Sequence, residues 1–353
     1  MYLKYFCLPF VIFLLSCTDQ DDLPMPKVFD KNFDKLVVTK RITCIDKRHR
    51  AFTDLVYFDN RWLLTYRESN EHIFGEDGVA KILSSLNADD WELVKLYKYQ
   101  GFDFRDPKFA IKDNKLLFYT HGSTYLEAYR SAPKEYKDFR AKYTGDGNWS
   151  LLNEVFVDKK NGTISNLKGN ETYPWRVTYY KGIGYVFGYN FQHDVFNFYT
   201  TEDDVYFKNT NTLKSPTGTP NEATVRVDEN GVFYSLVRRE YATALLGKSK
   251  DLGLTWNWFG NIPIYAFGGP NFLFYKDGIL LSGREKEKLI LGYFDLKTGD
   301  YKKILTFESG GDCSYPGMVI TDNFLWISYY SQHEQKRGSS IYLSRINLSK
   351  LGL

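Results

Sequence analysis

A hairpin of two alternating strands recurs six times along this chain, and that repetition constrains the fold more than any other feature. First strands begin near Phe52 (AFTDLVYFDN), Phe104 (FRDPKFAIKDN), Tyr173 (YPWRVTYYKG), Asn221 (NEATVRVDENG), Gly268 (GGPNFLFYKDG) and Cys313 (CSYPGMVITDN). Each leads through an Asp/Asn/Lys/Gly turn into an aromatic second strand: RWLLTYRE, KLLFYTHG, IGYVFGYN, GVFYSLVRR, GILLSGRE and FLWISYYS. Turns of this composition between alternating strands are hairpin signals. The starts lie 45 to 69 residues apart, and a period of about 40–50 residues with several strands per repeat is the mark of a β-propeller. Composition agrees, since 28 Tyr, 27 Phe and 7 Trp among 353 residues favour strands over helices.

A second repeat sits at the corners between third and fourth strands. Ser249-Lys250-Asp251-Leu252-Gly253-Leu254-Thr255-Trp256 matches the Asp-box pattern S-x-D-x-G-x-T-W, with degenerate copies at Ser84 to Trp91 and Thr201 to Phe207. The pattern has a structural logic: the Asp bonds backbone amides of a tight turn, Gly supplies an unusual φ, and the aromatic packs beneath. The sixth repeat runs out after three strands, at SSIYLSRINL, while residues 36–43 (LVVTKRIT) form a strand with no place in repeat one. The economical solution is an all-β, six-bladed propeller closed by its N-terminal strand, which leaves no open sheet edge.

Residues 1–16 (MYLKYFCLPFVIFLLS) read as a secretory leader, with an apolar run too short for a permanent membrane span. Cys17 follows in the context Leu14-Leu15-Ser16-Cys17, which resembles a bacterial lipobox, so Cys17 is the expected lipidation site. Residues 17–35 are then a polar tether and 36–353 the propeller, placing the domain at the outer membrane of a Gram-negative cell, facing outward or into the periplasm. Cys44 and Cys313 remain, in a compartment that permits a disulfide. They can pair if the chain ends meet, or stay as buried thiols. The charge of +3 and the lack of a long basic run argue against nucleic acid as a partner. No Gly-rich phosphate loop, H-E-x-x-H or zinc spacing is present, so neither cofactor nor metal is expected, a calcium held by loop carboxylates being the one alternative left open.

Six blades with Asp-boxes resemble the sialidase (neuraminidase) superfamily over roughly residues 36–350. The resemblance implies a site over the central pore, built from first-strand starts and neighbouring second-strand positions. On that basis Tyr315, opening blade six, takes the place of the nucleophile, and Glu222, opening blade four, that of its base. Asp77, in the blade-one loop ESNEHIFGEDG, is the nearest match to the acid/base, with Glu76, His72 and His49 as competitors. Arg50, Arg238 and Arg284 correspond to the family's three carboxylate-binding arginines, although Arg50 lacks the Ile and Pro of the family motif. The residue types suit a sialic acid, whose anomeric carboxylate an arginine cluster binds and would repel a carboxylate nucleophile. A neutral tyrosine activated by a glutamate avoids that repulsion.

Blade starts also carry Asp54, Arg105, Asp106 and Arg176, which either line the pocket or form salt bridges between blades. That much fixed charge equally suits a neutral sugar or a uronic acid, and His121 is a further acid/base candidate. The sequence therefore supports a monomeric cell-envelope exo-glycosidase acting on a terminal acidic sugar of a glycan, sialic acid first. Two alternatives use the same pore: a glycosidase or lyase on another glycan, or a non-catalytic glycan-binding lipoprotein.

Overall fold

The computed structural model describes residues 35–73, 75–125, 133–159, 168–190 and 194–353. The leader, the lipobox Cys17, most of the tether and His193 lie outside them. No helix among the described residues is long and apolar enough to cross a membrane.

Six four-stranded antiparallel units follow one another along the chain. Blade one comprises His49–Phe58, Arg61–Ser69, Val79–Ser85 and Glu92–Tyr97, and blade two Asp103–Lys112, Lys115–Tyr125, Pro133–Gly145 and Asn153–Val157. In blade three the first strand is broken into Tyr173–Pro174 and Thr178–Tyr180, ahead of Ile183–Asn190, Val195–Thr201 and Tyr206–Asn209. Outer strands of blades two and three pair in parallel at Phe156 and Val157, merging the two sheets. Blade four spans Pro220–Val227, Phe233–Arg239, Thr243–Ser249 and Asn257–Tyr265, and blade five Gly268–Tyr275, Gly278–Glu285, Lys288–Asp295 and Tyr301–Thr306. Blade six takes Cys313–Thr321, Phe324–Ser331 and Ser340–Asn347 from the end of the chain, and its outer strand is Val37–Arg41, antiparallel to Ser340–Asn347. First strands of neighbouring blades touch all the way round, blade six against blade one included, so the ring is closed.

One distortion positions the site. In five of the six blades the pairing of first and second strands slips by one residue at the same place, between Ala51 and Asp54, Arg105 and Lys108, Pro220 and Ala223, Gly268 and Asn271, and Ser314 and Gly317. An extra residue on one strand re-aims its side chain out of the sheet. The bulged residues Phe52, Asp106, Gly269 and Tyr315 have φ of 61°, 49°, 61° and 55°. Side-chain-bearing residues adopt that region rarely and chiefly at functional sites.

Elsewhere aromatics hold blade to blade. In the Ser249–Trp256 corner, Asp251 accepts from the Thr255 amide at 3.0 Å, and the Trp256 indole donates to Gly253 O at 3.0 Å. Trp256 then packs on Phe187 and Phe198 of blade three. Gly253, at φ 84°, lies so close to the Phe198 ring that a Cβ there would overlap it. The blade-one corner does the same with Asn87 as acceptor, its serine being Ser85 rather than Ser84, and with Trp91 Nε1 donating to Ala88 O at 3.1 Å. This turn is one residue shorter than the sequence pattern implies. The Cys44–Cys313 cross-link is not formed: Cys313 is a buried free thiol directed at Glu287 O, 3.3 Å away in the blade-five hairpin, and not at the N-terminal segment.

Candidate active site

Tyr315 is turned over the pore by its bulge, and its hydroxyl donates to Glu222 Oε1 at 2.5 Å across from blade four. The second Glu222 oxygen accepts from the Gly269 amide at 2.7 Å and lies 3.2 Å from Arg238 Nη1. Glu240 lies two residues on, just past the end of that strand, and the same guanidinium reaches it at 2.9 Å. Burial, then the charges of Glu222 and Asp106, hold the Tyr315 phenol well above its ordinary value, so at neutral pH it keeps its proton. Burial works to lower the Arg238 value, and Glu222, Tyr315 and Glu240 outweigh it, so this arginine stays charged.

Aromatic rings wall this pair. Phe52 packs edge-on to Tyr315 with centroids 4.8 Å apart, Trp175 lies 5.4 Å away and Tyr330 6.0 Å away. Lys108 sits over the Trp175 and Tyr315 rings and 3.9 Å from Asp106. Burial pushes the Lys108 ammonium down to about 8, with Asp106 opposing. Burial raises the Asp106 carboxyl; Lys108 opposes this and Glu222 adds to it. Several buried polar atoms around Tyr315 make no hydrogen bond: Asp106 Oδ1, Trp175 Nε1 and Arg238 Nε. Buried polar atoms are rarely left so.

The wall between blades one and six is built differently. Arg50 pairs in register with Glu68, two residues before the bulged Phe52, and its side chain is taken up by other groups. It bonds Glu68 at 2.8 Å, both oxygens of Asp46 at 2.8 and 2.7 Å, and Cys44 O at 3.2 Å. Beside the pore stand instead His49, His72 and Asp312, with His49 Nε2 at 2.7 Å and His72 Nδ1 at 2.6 Å from one oxygen, Asp312 Oδ2. Tyr330 donates to the other oxygen at 2.7 Å, and Arg284 stands 3.9 Å from it. Burial works to raise the Asp312 carboxyl, yet the hydrogen bonds from the two imidazoles outweigh it and hold Asp312 well below the usual range. The ligating atoms of this trio lie within 4.8 Å of one another, a spacing that admits a cation. Their bonds to one another and the adjacent Arg284 charge account for them without one.

The structure thus gathers Tyr315, Glu222, Arg238, Arg284 and Asp106 about one centre, with His49 and His72 beside it, and commits the other sequence candidates to partners of their own or to the surface. Asp54 and Arg176 form a buried pair at 2.7 Å, with the second Asp54 oxygen taken by the Phe109 amide, tying blades one, two and three together. Arg105 is held by Asp103 at 3.1 Å, beside the fully buried Arg67–Asp103 pair. Asp77 and Glu76 are exposed on the blade-one loop, Glu76 paired with Arg48. His121 spends both ring nitrogens on Asp138 and Ser123. Sequence reasoning missed Lys108, Trp175, Glu240 and Asp312 as site residues. Lys108 and Trp175 stand at blade starts, and the alternation of Arg238 with Glu240 was readable. Nothing local distinguishes Asp312.

Comparison with solved structures finds the same architecture in sialidases. Trypanosoma rangeli sialidase in complex with sialic acid superposes with a TM-score of 0.67 at 13% identity, over 92% of this chain and 57% of that one. The same enzyme as a covalent intermediate with 2,3-difluorosialic acid gives 0.66 at 13%, over 86% and 55%. The NanB sialidase of Streptococcus pneumoniae gives 0.61 at 9%, over 85% and 68%. The chain therefore spans just over half the length of the trypanosomal enzyme, and at these identities the likeness is one of fold. No family model matches the chain, and no curated protein matches it.

Proposed function

We propose that this protein is a retaining exo-glycosidase of sialidase-like type, removing a terminal acidic sugar, sialic acid first, from glycans. The observation that carries the reading is the Tyr315–Glu222 hydrogen bond with Arg238 on the far oxygen of the glutamate. Tyr315 Oη attacks the anomeric carbon as Glu222 takes its proton, which gives a buried phenol the base it needs to become a nucleophile. Arg238 and Arg284 supply positive charge for a substrate carboxylate. Asp106 Oδ1 and Trp175 Nε1, which make no hydrogen bond, suit sugar hydroxyls. A proton donor comes from the blade-one loop that carries His72 and Asp77. The test is release of methylumbelliferone from its α-sialoside by the full chain, beside Tyr315→Phe. Turnover abolished in the variant supports the reading, and an inert wild type removes it.

One observation favours a second reading, a glycosidase on a different glycan. Arg50 is committed to Asp46 and Glu68, which leaves two arginines for a carboxylate clamp. Turnover of a neutral or uronic glycoside in preference to the sialoside would select it. As for location, we propose that Cys17 carries lipid and anchors the domain at the outer membrane. Cys17→Ala is then expected in the soluble fraction, and a variant that stays with membranes would refute the anchor.

A further inference from the structure

We infer that His72, positioned by Asp312, is the proton donor and acceptor of this site, in place of a carboxylic acid. The inference rests on the glycosidase reading and names the group that reading leaves open.

The first ground is placement. His72 lies on the blade-one loop between second and third strands, and its ring packs on Phe52 with centroids 5.2 Å apart. Phe52 in turn packs on Tyr315 at 4.8 Å, so one aromatic ring links the histidine to the candidate nucleophile. The loop is pinned where it matters. Arg67, itself locked on Asp103, donates to Glu71 O at 3.0 Å, and the Gly78 amide donates to Asp103 at 2.8 Å. Asp77, by contrast, points its carboxyl from an exposed position on the same loop.

The second ground is the partner. An ionised carboxylate only accepts, so Nδ1 of His72 carries its proton toward Asp312 and Nε2 is left for chemistry. A partly buried carboxylate in that place fixes the tautomer and orients the ring, as in any His–Asp pair used for proton transfer. His49 and Tyr330 hold the Asp312 carboxylate from other sides, at 2.7 Å each, so it cannot swing away.

The step balances with these groups alone. As Tyr315 Oη bonds to the anomeric carbon, its proton goes to Glu222. The glycosidic C–O bond breaks, its electron pair goes to the leaving oxygen, and that oxygen takes the Nε2 proton of the His72 imidazolium. Neutral His72 then draws a proton from water as the water oxygen attacks the same carbon, and the departing Tyr315 oxygen recovers its proton from Glu222.

A general acid matters in proportion to how poor the leaving group is, which gives a signature that misfolding cannot mimic. The full chain and its His72→Ala, Asp312→Asn and Asp77→Asn variants are assayed on 3′-sialyllactose, with a poor leaving group, and on methylumbelliferyl α-sialoside, with an activated one. His72→Ala is expected to lose about 10²–10⁴-fold in kcat/KM on the lactoside and less than about 10-fold on the activated substrate. Retained turnover of the latter reports a folded site. Asp312→Asn is expected to lower kcat on the lactoside about 10- to 100-fold with little change in KM, as loss of a supporting partner does. Three results overturn the inference: equal losses on both substrates in His72→Ala, the leaving-group signature in Asp77→Asn instead, or activity removed by EDTA and restored by zinc. If the wild type cleaves neither substrate, the sialoside reading itself fails and this inference falls with it. If the wild type cleaves both and His72→Ala does not discriminate, the inference alone fails.

Discussion

The two walls of the pore mouth obey different rules. On the wall between blades four and six, Tyr315, Glu222 and Arg238 come from bulge and register positions that recur in other blades, and each finds a partner of complementary charge or donor type. On the wall between blades one and six, the bulge places Phe52 where blade six has Tyr315, and Arg50 stands two residues before it. Arg50 serves Asp46 and Glu68, and the space by the pore is filled by His49, His72 and Asp312. In the reading proposed above, the first wall serves the nucleophile and an acidic sugar, and the second serves proton transfer.

If that contrast is right, damage to the first wall shows in turnover and damage to Arg50 shows in stability. The largest effect is expected from Glu222→Gln, which removes the base without changing shape: kcat falls about 10²–10⁴-fold, measured by fluorophore release. Next comes Arg284→Ala, which removes a charged donor and raises KM for an acidic glycoside about 10- to 100-fold while sparing a neutral one. Arg50→Ala removes the bonds to Asp46 and Glu68, while Glu68 keeps Lys81 and Asp46 the Arg48 amide, and is expected to cost about 2 kcal/mol, read from chemical denaturation. A larger effect of Arg50→Ala on KM than on stability would put Arg50 back in the clamp and erase the contrast.

The smallest effect is a pH dependence on the histidine wall. Burial holds His49 below its ordinary value of 6.5, against the pull of Asp312. The unfolded chain then binds more protons than the folded one just below that pH, so stability is complete above about 6.5 and declines as pH falls through it. Thermal melts between pH 7.5 and 5.5 are expected to show this decline, and His49→Gln to flatten it by about 1 kcal/mol or less.

Much of the architecture was legible because it is repetitive. Hairpin signals, the Ser249–Trp256 corner and the orphan strand at residues 36–43 each fix a local arrangement, and the closed ring follows from repeating it. Tyr315 and Glu222 were legible for the same reason, since both stand at first-strand starts. What could not be read was which face each side chain takes within a bulge and which distant loops meet. The commitment of Arg50 to Asp46 and Glu68 is invisible until the strands are paired. His72 and Asp312 are separated by 240 residues, and neither is unusual in its own segment. The buried pair of Asp54 and Arg176 shows the same limit, because charge at a blade start reads identically whether it faces the pocket or braces the ring.

The central claim is that Tyr315 forms the covalent bond to the sugar. Incubation of the full chain with 2,3-difluorosialic acid, followed by intact-mass and peptide analysis, tests it directly. The account predicts a single sialosyl adduct on the peptide carrying Tyr315, absent from Tyr315→Phe. An adduct on another residue, or an unmodified protein, would contradict it.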